Sequence, residues 1–143
     1  MSAPSLDTLA AMAEPYLLPM TPRYLEIDGQ GVVFNMWYLA YFDEAMAGFL
    51  GARGLPYPQL LAGGHDVSLV HTELDWSAGL HYGDHAQVAV SVLAIGRTSF
   101  TLGFEVQRDG EPLCTGRTVY VVVGTDGSGK REIPDQLRAC LEA

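Results

Sequence analysis

The sequence contains no apolar run near the roughly 18 residues that a bilayer-crossing helix needs, so no membrane span is expected. Cysteine is scarce. Cys114 and Cys140 are the two present, neither lies in a C-x-x-C motif, and they are expected as free thiols rather than as a disulfide. Basic residues are also few, with 8 Lys and Arg against 17 Asp and Glu, a net charge of −9. Sequence-independent nucleic-acid binding needs a basic face, so that class is excluded, and anionic membrane surfaces are disfavoured. A phosphorylated ligand remains compatible, because a few arginines can form a local patch. The opening Met1-Ser2-Ala3-Pro4 lacks the basic start and long apolar stretch of a secretory leader, which makes the cytoplasm the expected compartment.

Several familiar site signatures are missing as well. His65, His71, His81 and His85 do not show His-Glu-x-x-His spacing, and no metal is expected. Ser68 and Ser77 lack a Gly-x-Ser-x-Gly setting. Thr125-Asp126-Gly127-Ser128-Gly129-Lys130 lacks the residue order of a phosphate loop.

What is present is an ordinary globular balance, 48% hydrophobic and 17% charged. A chain of 143 residues is expected to form one domain, burying about 70% of its unfolded surface. Residues 1–19 read as a loose or partly helical arm and 20–143 as the domain. The alternation of Arg23, Tyr24, Leu25, Glu26 and Ile27 predicts a strand over Thr21–Ile27, broken by Asp28-Gly29-Gln30-Gly31. Met36, Leu39, Ala40, Phe42, Met46, Phe49 and Leu50 form one apolar stripe at helical spacing. Asp43 and Glu44 fall on its other side. Gly51 and Gly54 end that helix, and Pro56 and Pro58 are expected to prevent its resumption. Strands follow over Val67–Trp76, Ala86–Ile95, Thr98–Gln107 and Pro112–Val123, the last apolar on both faces around Val119–Val123 and expected inside the sheet. Asp109-Gly110 is a hairpin turn signal. Pro134 opens a short C-terminal helix to about Leu141. One long helix against one antiparallel sheet is an α+β layer architecture.

The sharpest local signal is Asp28-Gly29-Gln30-Gly31-Val32-Val33-Phe34-Asn35-Met36-Trp37-Tyr38, at the entrance to the long helix. A helix start offers unpaired backbone N–H groups and the positive end of the dipole, which can stabilise a developing oxyanion. Glycines let a ligand approach the backbone. A carboxylate just ahead can act as nucleophile or as general base for water. The same Asp28 could instead only cap a turn, and spacing alone leaves both readings open.

This segment resembles the hotdog-fold thioesterases of the 4-hydroxybenzoyl-CoA thioesterase family, in which an Asp opens an Asp-x-x-Gly-x-Val segment followed by a Tyr. Asp28, Gly31, Val33 and Tyr38 occupy those places. Leu39-Ala40-Tyr41-Phe42-Asp43-Glu44-Ala45, Glu73-Leu74-Asp75-Trp76 with Tyr82-Gly83-Asp84, and Gly96-Arg97-Thr98-Ser99-Phe100 are similar to later family stretches, so the resemblance runs from about Arg23 to Val123. Many members carry a His or Asn where this chain has Phe34 and Asn35, and an Asn where it has Trp37, and Glu26 stands where another Asp or Thr is common. In relatives these positions line the thioester end of the pocket.

The resemblance implies a hotdog: an antiparallel sheet wrapped around one long central helix, joined edge to edge into a homodimer and often paired again into a homotetramer. It implies an acyl-CoA thioesterase without a metal or redox cofactor. Asp28 would attack the thioester or activate water, and the backbone N–H groups near Asn35 would polarise its carbonyl. Gly31, Val32, Val33, Phe34, Trp37 and Tyr38 would line the substrate, and Arg97 would meet a coenzyme A phosphate through its planar fork. Arg97 also reads as an ordinary solvated turn arginine, Glu44 as structural, and Cys114 as a small buried strand residue. Three alternatives stand beside this: hydrolysis of a carrier-protein thioester, a non-catalytic acyl-CoA-binding hotdog, and a hotdog hydratase. The last uses an Asp/His pair that is not found in this sequence. Phe34, Met36 and Trp37 suit an apolar or aromatic acyl group, and equally suit a core.

Overall fold

A computed structural model describes residues 15–143. The elements in chain order are β1 (Tyr16–Met20), a 3-10 turn (Tyr24–Glu26), α1 (Trp37–Ala52), α2 (Tyr57–Ala62), β2 (His65–Trp76), β3 (Ala86–Ile95), β4 (Ser99–Arg108), β5 (Glu111–Gly124) and α3 (Asp135–Glu142). The five strands form one antiparallel sheet in the order β1-β3-β4-β5-β2, with α1 packed across it. This is the expected α+β hotdog architecture.

The last four strands lie within two residues of their expected bounds, because alternation and turn chemistry agree there. Asp109 and Gly110 both take positive φ (54° and 77°), the conformation that a two-residue hairpin turn requires. β5 is an interior strand, as expected, flanked by β4 and β2.

Three expectations are corrected. The first strand is not Thr21–Ile27 but Tyr16–Met20, which takes up the end of the segment read as an arm; residues 1–14 of that arm lie outside the described residues. Pro19 is tolerated in β1 because β1 is an edge, paired only to β3. The Glu26 carboxylate accepts the Arg23 N–H at 2.8 Å while the Glu26 N–H donates to the Arg23 carbonyl at 2.9 Å, and these bonds wind Tyr24–Glu26 into a turn instead of a strand. Second, the buried stripe of α1 is Tyr38, Tyr41, Phe42, Ala45, Met46, Phe49 and Leu50. Met36, Leu39 and Ala40 are exposed, since the helix begins after Met36 and turns those positions outward. Third, Pro56 and Pro58 do not prevent a helix. Pro58 falls in the first turn of α2, where an N–H has no partner to lose.

The core lies between α1 and the inward residues of the sheet, among them Val88, Val90, Phe100, Leu102, Phe104, Val106, Tyr120 and Val122. Burying each side chain of this size is worth about 1.5–3 kcal/mol. Phe42 of α1 stacks on Phe104 with ring centroids 4.6 Å apart. Gly116 makes this approach possible, since a Cβ there would run into the Phe42 ring. Leu137, Cys140 and Leu141 of α3 add to the same core. No helix among the described residues is long and apolar enough to cross a membrane.

Candidate active site

The segment from Arg23 to Tyr38 is tied down at each step. Glu26 is 4% exposed, yet its carboxylate is satisfied. Oε1 accepts from the Arg23 N–H and from the Tyr41 hydroxyl, both at 2.8 Å, and Oε2 accepts from the Arg23 guanidinium at 3.0 Å. Burial works against its ionisation, but these donors outweigh burial and hold the carboxyl below its usual range. Tyr41 is pushed the other way, by burial and by donating to Glu26.

Past this anchor, Ile27 bridges Val33, and the Phe34 N–H donates to the Glu26 carbonyl at 2.9 Å. The chain between them makes a tight turn. The Gly31 N–H donates to the Asp28 carbonyl at 3.0 Å, and the Asp28 N–H to the Val32 carbonyl at 2.8 Å. Gly31 sits at φ 80°, a conformation glycine adopts without strain. The Asp28 carboxylate accepts the Gln30 N–H through Oδ1 at 2.8 Å. Both readings of Asp28 therefore have a physical basis: one oxygen caps the turn, and Oδ2 has no partner among the described residues.

The turn opens toward the start of α1. Among the described residues, no acceptor takes the Asn35 or Met36 N–H, and Met36 is the residue that precedes the helix. The loop thus presents a half-buried carboxylate ahead of two free backbone donors at a helix N-terminus. A groove of about 340 Å³ lies between β1 and α1, bordered by Met20, Arg23, Glu26, Trp37, Tyr41 and Glu44; Asp28 and Asn35 do not line it. The Arg23 guanidinium lies 5.9 Å from the Trp37 ring centroid.

Of the residues singled out from sequence, Asp28, Gly31, Val32, Phe34, Asn35 and Trp37 lie on this loop and the first turn of α1, each at least partly exposed. Val33 and Tyr38 belong to the same stretch but point into the core, at 2% and 1% exposure. The Tyr38 hydroxyl accepts the Leu80 N–H at 3.4 Å, and its ring meets Trp76 edge to face at 5.9 Å. Arg97 is not brought to this place within one chain. It sits exposed at the β3–β4 turn, paired with Glu132 at 3.0 Å. Asp28 lies toward the Ala86 end of β3, so the ten residues of that strand separate the two by roughly 30 Å at about 3.3 Å per residue.

The histidines are spread out. His71 pairs with Glu73 at 2.9 Å on the exposed face of β2, and His81 lies beside Asp84 and Arg108. Among the described residues, no group of three or more His, Cys, Asp or Glu side chains is placed to hold a metal. Cys114 is buried, and burial pushes its thiol up to about 12.

Two structural roles at the site are not marked by residue spacing. Glu26 was visible only as a departure from the family pattern, since nothing in its spacing marks it as buried. The Ser77–Asp84 segment, on which the Asp28 loop rests through a Val33 N–H bond to the Leu80 carbonyl at 2.9 Å, has no periodic signal at all.

Residues 22–141, most of the chain, match the family described as the thioesterase-like superfamily. The chain belongs to that superfamily. Among curated members of comparable length, it is 27% identical to a putative esterase from Aquifex aeolicus over 76% of this chain and 85% of that one. It is 22% identical to a 1,4-dihydroxy-2-naphthoyl-CoA hydrolase from Synechococcus elongatus over 84% and 90% of the two chains. The crystal structure of a hypothetical protein from Aquifex aeolicus superposes with a TM-score of 0.85 at 25% identity, covering 89% of this chain and 99% of that one. Membership of the thioesterase-like superfamily accounts for the fold.

Proposed function

We propose that this member of the thioesterase-like superfamily is a cytoplasmic hydrolase of acyl-CoA thioesters, releasing the free acid and coenzyme A. The observation that carries the reading is the Asp28 loop: among the described residues, one carboxylate oxygen is held and the other has no partner, ahead of Asn35 and Met36 N–H groups that meet no acceptor. Oδ2 either attacks the thioester carbonyl, breaking the C–S bond to release the coenzyme A thiolate and leaving a mixed anhydride that water hydrolyses, or takes a proton from a water that attacks the carbonyl and expels the same thiolate; in both routes the backbone donors receive the developing oxyanion. Phe34 and Trp37 border the acyl end. The likeness to a 1,4-dihydroxy-2-naphthoyl-CoA hydrolase supports an aromatic acyl group, and the same reading places the chain in the 4-hydroxybenzoyl-CoA branch on the strength of its Asp28–Tyr38 motif.

The reading includes a dimer. β1 is a short edge of five residues carrying Pro19, whereas β2 is a twelve-residue edge with Leu69 and Val70 exposed. A long unprotected edge of that kind is a surface for pairing. Antiparallel pairing of β2 with its copy about a two-fold axis turns the Arg97 end of one subunit toward the Asp28 end of the other. That arrangement would let Arg97 of the partner subunit meet a coenzyme A phosphate, despite its distance from Asp28 in its own chain. A second pairing of dimers into a tetramer would use a different surface, because β2 is then occupied on both sides.

The test is hydrolysis of a panel of aliphatic and aromatic acyl-CoAs, with released thiol followed by a thiol reagent, alongside sedimentation at micromolar concentration. Turnover of at least one acyl-CoA by a species larger than 15.5 kDa is expected. Binding of acyl-CoA without turnover would favour the ligand-binding alternative.

A further inference from the structure

We infer that Arg108 is a positioning residue for the Asp28 site, acting by fixing the Ser77–Asp84 segment on which the Asp28 loop rests. The inference builds on the thioesterase reading of that loop.

Ser77–Asp84 has no regular secondary structure, yet Leu80 at its middle is fully buried. Its first residues are held by the start of β5, through the Ser77 and Ala78 N–H groups and the Leu113 carbonyl. The remainder is gripped from the end of β4. Nη1 of Arg108 donates to Asp84 Oδ2 at 2.8 Å and to the Gly79 carbonyl at 3.3 Å, and lies 3.4 Å from His81 Nδ1. The Arg108 and Asp84 side chains are 26% and 22% exposed, so this ion pair is screened less by solvent than a surface pair. The Asp84 carboxyl is held below its usual range: burial opposes ionisation, and the His81 N–H and the Arg108 guanidinium outweigh it.

Three contacts then lead from Arg108 to Asp28. Arg108 holds the Gly79 carbonyl. Gly79 lies so close under Val32 that a Cβ there would come within 2.9 Å of Val32 Cγ1. The Val32 carbonyl accepts the Asp28 N–H at 2.8 Å. In parallel, the Leu80 carbonyl holds the Val33 N–H at 2.9 Å. Without Arg108 the sheet keeps its ladders and the Asp109-Gly110 turn, but Gly79–Asp84 loses its tie to β4. The floor of the Asp28 loop is then free to shift. Misplacement of a reacting group by about 1 Å can cost roughly 10² in rate, so a partial loosening is expected to lower kcat about tenfold. Arg108 is not placed against substrate in this reading, so KM should stay within about twofold.

The experiment compares the wild type with Arg108→Gln and Arg108→Lys. Acyl-CoA hydrolysis gives kcat and KM, and amide hydrogen exchange is read at Val33 with Leu102 of the central strand as reference. The inference expects Val33 exchange at least about tenfold faster in Arg108→Gln with Leu102 unchanged, kcat down about tenfold, and KM little moved. Arg108→Lys should fall between, since an ammonium keeps the charge that holds Asp84 but ends one bond short of the Nη1 position from which both Asp84 and Gly79 are reached. It carries the test if Arg108→Gln does not fold. Unchanged Val33 exchange in a folded variant overturns the inference, whatever happens to kcat. A raised KM at constant kcat also overturns it, since Arg108 would then contact the ligand. A wild type that hydrolyses no thioester refutes the thioesterase reading, and the positioning role falls with it; an active wild type with unaffected variants refutes the positioning role alone.

Discussion

Replacing Asp28 by Asn separates the two jobs that the geometry gives this side chain. Oδ1 accepts the Gln30 N–H at 2.8 Å, and an asparagine oxygen can accept the same bond. Asparagine caps about as well as aspartate, and the charge-assisted part of the bond is worth about 1 kcal/mol, so the variant should lose no more than about that in stability. With the amide oxygen committed to Gln30, the –NH₂ group stands where Oδ2 stood. It is neither a nucleophile nor a base. If Oδ2 performs the chemistry, kcat should fall by roughly 10²–10⁴, the usual contribution of a positioned acid–base group. KM should change little, because the carboxylate is not placed to hold coenzyme A. Thiol release from acyl-CoA gives the rate, and thermal unfolding of the same preparation gives the stability. Near-normal kcat in a variant of normal stability would refute the catalytic assignment and leave Asp28 as a turn cap.

Two further expectations concern the fold. Gly116→Ala should destabilise the protein by about 1–3 kcal/mol, because the new Cβ meets the Phe42 ring stacked on Phe104; a denaturant midpoint equal to that of the wild type would contradict the close helix–sheet contact. Glu26, whose folded-state carboxyl is held below the ordinary value of 4.5, contributes stability that is fully present above that value and is lost as pH falls through the lowered one. The stability advantage of wild type over Glu26→Gln should therefore be greatest near neutral pH and shrink below about pH 4.5. A gap that stays constant from pH 7 to pH 3 would remove Glu26 from the pH dependence.

The sequence by itself determined the elements whose signals are local. Alternating Val, Ala and Phe residues with Gly-Arg and Asp-Gly turns set β3, β4 and β5 nearly to the residue, because side-chain period and turn conformation are properties of short stretches. It also marked Asp28 through Tyr38 as one loop at a helix start, since that loop is continuous in the chain. Tertiary structure decided what depends on partners distant in sequence. Tyr16–Met20 is a strand because β3 offers it an edge, not because of its own pattern. Leu39 and Tyr41 are both apolar or aromatic, and only the position of the sheet decides which of the two is buried. Glu26 is buried because Tyr41, fifteen residues away, and Arg23 satisfy it. The Asp28 loop rests on Gly79 and Leu80, which the chain reaches only after two helices and β2, and Arg108 at the end of β4 bonds the Gly79 carbonyl. Arg97, placed at the site by resemblance, stands a strand's length away in the folded subunit, because an antiparallel hairpin puts its turn at the far end from where the strand began.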